Sequence, residues 1–203
     1  MQTKGVLVVV SGFSGAGKGT VMKALLEKYD NYALSVSATT RSPRPGEENG
    51  REYFFLTESQ FEDMIRNDEL IEHARYVDHY YGTPKKYVEE KMAAGKDVIL
   101  EIEIQGALNI KKKFPDALLV FIVPPTAEDL KKRLIGRGTE SAEVIEKRLR
   151  RAAEESDGMD SYDYIVVNDD VDTCVEDLHS LIRSSHFKES ANTDLVVRMK
   201  QEL

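Results

Sequence analysis

The sequence predicts an α/β fold: a parallel sheet of five strands with helices on both faces, interrupted by two insertions. Three observations carry this. Short apolar runs rich in β-branched residues recur around Val6, Tyr32, Val98, Leu118 and Ile165, the pattern of strands buried on both sides. Helical text separates them, the alternation that builds a parallel sheet. The first run leads straight into a glycine-rich loop and a helix, and such sheets bind ligands at the C-terminal ends of their strands.

Residues 6–10, VLVVV, form the first strand. Gly12, Ser14, Gly15, Ala16, Gly17, Lys18, Gly19 and Thr20 follow, then the helical VMKALLEKY. Strand, G-x-x-x-x-G-K and helix together are the signature of a polyphosphate-binding loop. Its glycines admit backbone angles that a side chain forbids, so successive N–H groups can turn inward around an anion. The helix opening near Gly17 adds its positive dipole end. Lys18 supplies a point charge for the β- and γ-phosphates. One position departs from the usual pattern. The Ser or Thr that follows the lysine and ligates Mg²⁺ is here Gly19. Thr20 is then left to bond a phosphate, and the metal is left to water or another carboxylate.

Residues 32–36 form a short strand leading into Ser37, and 41–52 (RSPRPGEENGRE) read as an irregular loop carrying Arg41, Arg44 and Arg51. Residues 53–56 form a strand, and Thr57 with Gln60 forms a capping box for a helix over 58–67. Residues 70–77 form another strand with Glu72 and His73 in its middle. DHYYGT, 78–83, reads as a turn, and Pro84 as the first residue of a helix that ends at Gly95. Residues 97–104, DVILEIEI, return to a buried strand that holds Glu101 and Glu103. The most apolar strand, 117–123, is stopped by Pro124 and Pro125, and Thr126 caps a helix over 127–135. Gly136, Arg137 and Gly138 interrupt before a charged helix over about 141–155. A last strand over 164–167 ends in Asn168, a final helix covers 171–184, and the tail 186–203 is polar with no assigned structure.

Composition narrows the function classes. A net charge of −8 in 203 residues leaves no excess positive charge for a nucleic-acid backbone, and it makes clusters of arginine stand out. Cys174 is the single cysteine, so a disulfide framework is excluded; a reducing cytoplasm fits. No apolar run approaches the ~20 residues that span a bilayer. The oligomeric state is left open.

GFSGAGKGT, SVSATTRSPRPGEENGREYFF, LIEHARYVDHYYGTP, VILEIEIQG, FIVPP, RLIGRGT and IVVND occur in that order. Over about 6–182 the chain resembles guanylate kinases. The resemblance implies a nucleoside-monophosphate kinase that moves the γ-phosphoryl of ATP onto GMP or dGMP with Mg²⁺, with no nucleic-acid or membrane partner. It implies a phosphate-loop core (1–36, 89–125 and 159–185), a mixed-sheet GMP-binding lobe (37–88), a helical lid (126–158) and a tail (186–203). The lid reading includes the arginines of its helices.

On this resemblance Glu72 reads guanine, whose N1–H and N2–H₂ donors a carboxylate can accept together, with Ser37, Gly82 and Thr83 completing the pocket. Glu101 and Glu103 lie nearby, although the family usually has aspartate at position 103. Arg41 and Arg44, with the Tyr53 and Tyr81 hydroxyls, form a cradle for the GMP phosphate. The glycine loop, Arg133, Arg137 and Asn168 hold ATP. Lys18, Arg44, Arg137 and Arg148 serve the transfer, with Arg150 or Arg151 as further cations. Glu101 holds Mg²⁺ through water. The attacking phosphate oxygen is already anionic, so no general base is required, and His73, His79, His179 and His186 read as structural or exposed. Two alternatives are another phosphate-loop kinase with a different acceptor, and a non-catalytic module of the same fold that binds peptides.

Overall fold

The computed structural model describes residues 4–76, 78–136 and 141–203. Strands β1 (Leu7–Gly12), β2 (Tyr32–Leu34), β7 (Asp97–Glu101), β8 (Leu118–Val123) and β9 (Tyr164–Val167) form one sheet, ordered β2-β7-β1-β8-β9, with every pair parallel. The expected five-stranded parallel sheet is therefore present. Period-2 alternation sorts its side chains. Val8 and Val10 pack on one face with Val21, Met22 and Leu25 of helix α1 (Lys18–Lys28) and with Cys174, Val175, Leu178 and Ile182 of α7 (Val171–Ser185). Leu7 and Val9 pack on the other face with Val88 of α3 (Lys85–Ala93) and with Ala107 and Ile110 of α4 (Ile104–Lys113).

A second, mixed sheet is ordered β4-β3-β6-β5, from β3 (Ser37–Thr39), β4 (Tyr53–Phe55), β5 (Leu70–Tyr76) and β6 (His79–Pro84). β3 and β4 are parallel, while β6 runs antiparallel to both β3 and β5. Phe61 of α2 (Glu58–Arg66) fills its core beside Ala38 and Leu70. The capping box forms as expected: the Gln60 N–H donates to Thr57 Oγ1, and the Thr57 N–H donates to Gln60 Oε1. α5 (Ala127–Gly136) and α6 (Ala142–Ser156) pack through Leu130, Leu134 and Ala152 onto Phe13 of the phosphate loop.

Four local expectations are corrected. DHYYGT is largely a strand, β6, because its residues pair with both β3 and β5 and the ladder satisfies their backbone groups. Pro84 caps α3 from outside, at φ −60° and ψ 119°, while also closing β6. The strand expected over 97–104 ends at Glu101, and Glu103 is the N-cap of α4, a helix hidden behind the short apolar text. The tail also holds α8 (Thr193–Glu202), which has no buried residue. At the opposite end of the sheet from the phosphate loop, buried Asp97 accepts from the Val6 N–H, from His186 Nε2 at 2.8 Å and from Asn31 Nδ2, anchoring the start of that tail.

Candidate active site

The glycine loop begins where β1 ends, in the middle of the sheet. Gly15 and Gly17 have φ of 96° and 90°, in the left-handed region. Gly17 is also the N-cap of α1. A Cβ on Gly17 would lie 2.4 Å from Asn168 Nδ2. That amide sits under the loop because Asn168 is buried at the end of β9 and donates to the Ala16 carbonyl at 2.7 Å. Arg133 reaches in from α5, its guanidinium donating to the Asn168 carbonyl at 2.7 Å and to the Ala16 carbonyl at 3.3 Å. Lys18 Nζ folds back to donate to the carbonyls of Gly12 (2.7 Å) and Phe13 (3.3 Å). Gly19 and Thr20 are exposed at the first turn of the helix, with open space around Gly19. Gly17→Ala is expected to weaken ATP binding about tenfold or more. A left-handed alanine alone costs ~1–2 kcal/mol, and the clash with Asn168 adds to it; calorimetric titration with ATP and a thermal melt check this.

Glu101 ends β7 in register with Val10, so its exposed carboxylate stands beside the loop. It lines one cleft with Ser14, Lys18, Glu103, Lys147, Arg148 and Arg151, a cavity of about 490 Å³. Arg148 of α6 thus faces the same space as Lys18. Glu103 lines that cleft from the N-cap of α4. Its carboxylate, largely exposed, accepts from Arg151 Nη2 at 2.8 Å, while Arg151 Nε donates to Glu155 at 3.0 Å. Arg137 lies outside the described residues.

On the second sheet, Glu72 is buried in β5. Its Oε1 accepts from Thr83 Oγ1 of β6 at 2.8 Å. Burial pushes the Glu72 carboxyl above the ordinary glutamate value, opposed by the Thr83 hydroxyl and the charge of Lys113. Ser37, at the start of β3, and Gly82, paired with Ala38 and His73, sit on the same sheet. Arg41, Tyr53 and Tyr81 form a second cluster. The Arg41 guanidinium lies 5.4 Å from the Tyr53 ring centroid and 5.8 Å from that of Phe55, and Tyr53 and Tyr81 meet edge to face at 6.1 Å. Glu47 completes it: one oxygen accepts from Arg41 Nη2 at 3.0 Å and the other from the Arg44 N–H at 2.7 Å. The Arg41 guanidinium and the Arg44 N–H hold Glu47 below the usual carboxylate range, and burial pushes the Tyr53 hydroxyl up. The Arg44 side chain itself is exposed.

The sequence reading did not assign Glu47, Gly106, Lys113 or Ser11. Glu47 carried a signal, an acid three residues after Arg44 across a Pro45-Gly46 turn that the Glu47 N–H closes on the Arg44 carbonyl. Lys113 donates from the end of α4 to the Ile71 carbonyl, beside Glu72, and Ser11 Oγ donates to the Ile102 carbonyl; neither contact has a local sequence pattern. Of the histidines, His179 stacks on Tyr29 and bonds Tyr32 Oη, His186 bonds Asp97, and His73 is exposed.

Residues 4–185 match the family model described as guanylate kinase. The chain is 48% identical over 202 residues to the guanylate kinase of Caldanaerobacter subterraneus subsp. tengcongensis, covering 100% of this chain and 98% of that protein. It is 51% identical over 188 residues to that of Lactococcus lactis subsp. lactis, covering 93% of this chain and 92% of that one. Among solved structures, a guanylate kinase from Anaplasma phagocytophilum superposes with a TM-score of 0.72 at 32% identity, over 92% of this chain and 89% of that chain.

Proposed function

The chain belongs to the guanylate kinase family and is an ATP:GMP phosphotransferase, and we propose that the residues described above carry that reaction in the following way. The triphosphate of ATP lies along the loop from Gly12 to Thr20, with Lys18 released from the Gly12 and Phe13 carbonyls to the β- and γ-phosphates. Asn168 Oδ1 has no hydrogen-bond partner among the described residues, which supports its assignment as an acceptor near adenine. Arg133, which already braces the Asn168 carbonyl, stands on the same side.

GMP, or dGMP, sits on the second sheet. Its phosphate lies between Arg41, Arg44, Tyr53 and Tyr81, and its base lies against Glu72, Thr83, Gly82 and Ser37. An anionic phosphate oxygen of GMP attacks the γ-phosphorus in line as the bond from that phosphorus to the bridging oxygen of ADP breaks. Charge spreads over the peripheral oxygens, so fixed cations and positioning supply the rate enhancement. Lys18 and Arg148 face one cleft and supply positive charge there, with Arg44 on the acceptor side. Residues 37–88 act as the acceptor lobe, and 126–158 as the covering segment that excludes water.

The donor types beside the loop suit Mg²⁺, which takes carboxylate oxygens, waters and substrate phosphates. Glu101 would hold it through water; when bound, the ion would neutralise charge on the β- and γ-phosphates. The observation that best supports the whole reading is the buried Glu72 carboxylate, a costly group that a two-donor base edge would satisfy. A coupled ADP-release assay with GMP, AMP, UMP and dTMP side by side tests it. GMP is expected to be turned over far faster than the rest, and equal turnover of AMP would reject the acceptor assignment.

A further inference from the structure

We propose that Gly106, in the first turn of α4, is a specificity-determining position that sets how the Glu72 carboxylate is presented to the acceptor base. The proposal rests on the reading of Glu72 as the base-reading group. Gly106 stands in ordinary helix, where an L side chain meets no conformational penalty. Local propensity therefore favours alanine there over glycine. Glycine is needed for another reason, and the surroundings give it. A Cβ on Gly106 would lie 3.3 Å from Glu72 Oε2, 3.8 Å from Glu72 Cδ and 3.2 Å from Ile102 Cδ1.

Of these neighbours the Ile102 methyl can rotate aside. The carboxylate cannot do so freely, because Oε1 is held by Thr83 at 2.8 Å and β5 is fixed by its pairing with β6. Helix α4 belongs to the parallel-sheet core, whereas Glu72 belongs to the inserted sheet. Gly106 thus lets the core helix close against the lobe without touching the oxygen aimed at it. An added methyl group would push Oε2 by a few tenths of an ångström, tilting the carboxylate plane that must meet two donors side by side.

The test is Gly106→Ala, compared with wild type and with Glu72→Gln. The KM for GMP is expected to rise about tenfold, the factor equivalent to about 1.4 kcal/mol. The preference for GMP over AMP should fall with it, while the KM for ATP stays unchanged and the melting temperature does not fall. The stability readout has the opposite sign to that of a structural role, since a packing glycine would show a lowered melting temperature and a reduced kcat with all substrates. That pattern, or an unchanged KM for GMP in Gly106→Ala where Glu72→Gln raises it, would overturn the proposal alone. An unchanged GMP preference in Glu72→Gln would overturn the assignment of Glu72 and this proposal with it.

Discussion

Lys18→Ala is expected to lower kcat for GMP phosphorylation by about a hundred- to a thousandfold, the loss typical of removing one group that stabilises transition-state charge. Its ammonium is anchored on the Gly12 and Phe13 carbonyls in the structure, on the loop it serves. The fold should survive the change. Lys18 is partly exposed, and the loop is held independently by the Ala16 N–H on the Phe13 carbonyl and by Asn168 on the Ala16 carbonyl. Steady-state turnover together with a circular-dichroism melt separates the two effects. Wild-type turnover would remove Lys18 from the phosphate site.

Glu72→Gln is expected to cut the preference for GMP over AMP by one hydrogen bond or more, ~1–3 kcal/mol when a buried partner is left unsatisfied. An amide offers one acceptor and places an N–H₂ donor against guanine's own donors. The ratio of kcat/KM values for the two nucleotides measures this, and an unchanged ratio would move base recognition elsewhere. Acid should mimic the mutation. Burial raises the Glu72 pKa, so protonation begins at a higher pH than for a solvated glutamate, and the KM for GMP should rise as pH falls through that raised value. Stability runs the other way. A carboxyl whose folded pKa is raised contributes stability below its unfolded value and loses it as pH rises through the folded one. At neutral pH the mutation should therefore leave the melting temperature level or higher.

The parallel core was legible because its signals are local. Apolar runs of strand length, the capping box at Thr57 and the loop from Gly12 to Thr20 each carry their meaning within a few residues. The failures are places where meaning depends on a distant partner. DHYYGT has the composition of a turn, and only β3 and β5 on either side make it a strand. Glu103 shared a strand-like text with Glu101, yet its neighbour in space is Arg151, 48 positions away. The bond from the Asn168 amide to the Ala16 carbonyl, 152 residues earlier, likewise has no local signal. Gly106 lies in α4, a helix with no clear signal in the sequence, and its contact with Glu72 spans 34 positions.

The loop over 41–52 carries three arginines and also Glu47, Glu48 and Glu52, so it is formally neutral. Its acids engage their own basic neighbours: Glu47 pairs with Arg41, and both Glu48 and Glu52 pair with Arg51. A nucleotide approaching from bulk water therefore meets almost no long-range pull toward the cradle, and in a chain of net −8 its dianion is faintly repelled. Encounter with the acceptor lobe is left to ordinary diffusion. Added salt should then change capture rates little, while hydrogen-bond geometry at contact distance decides how long the nucleotide stays.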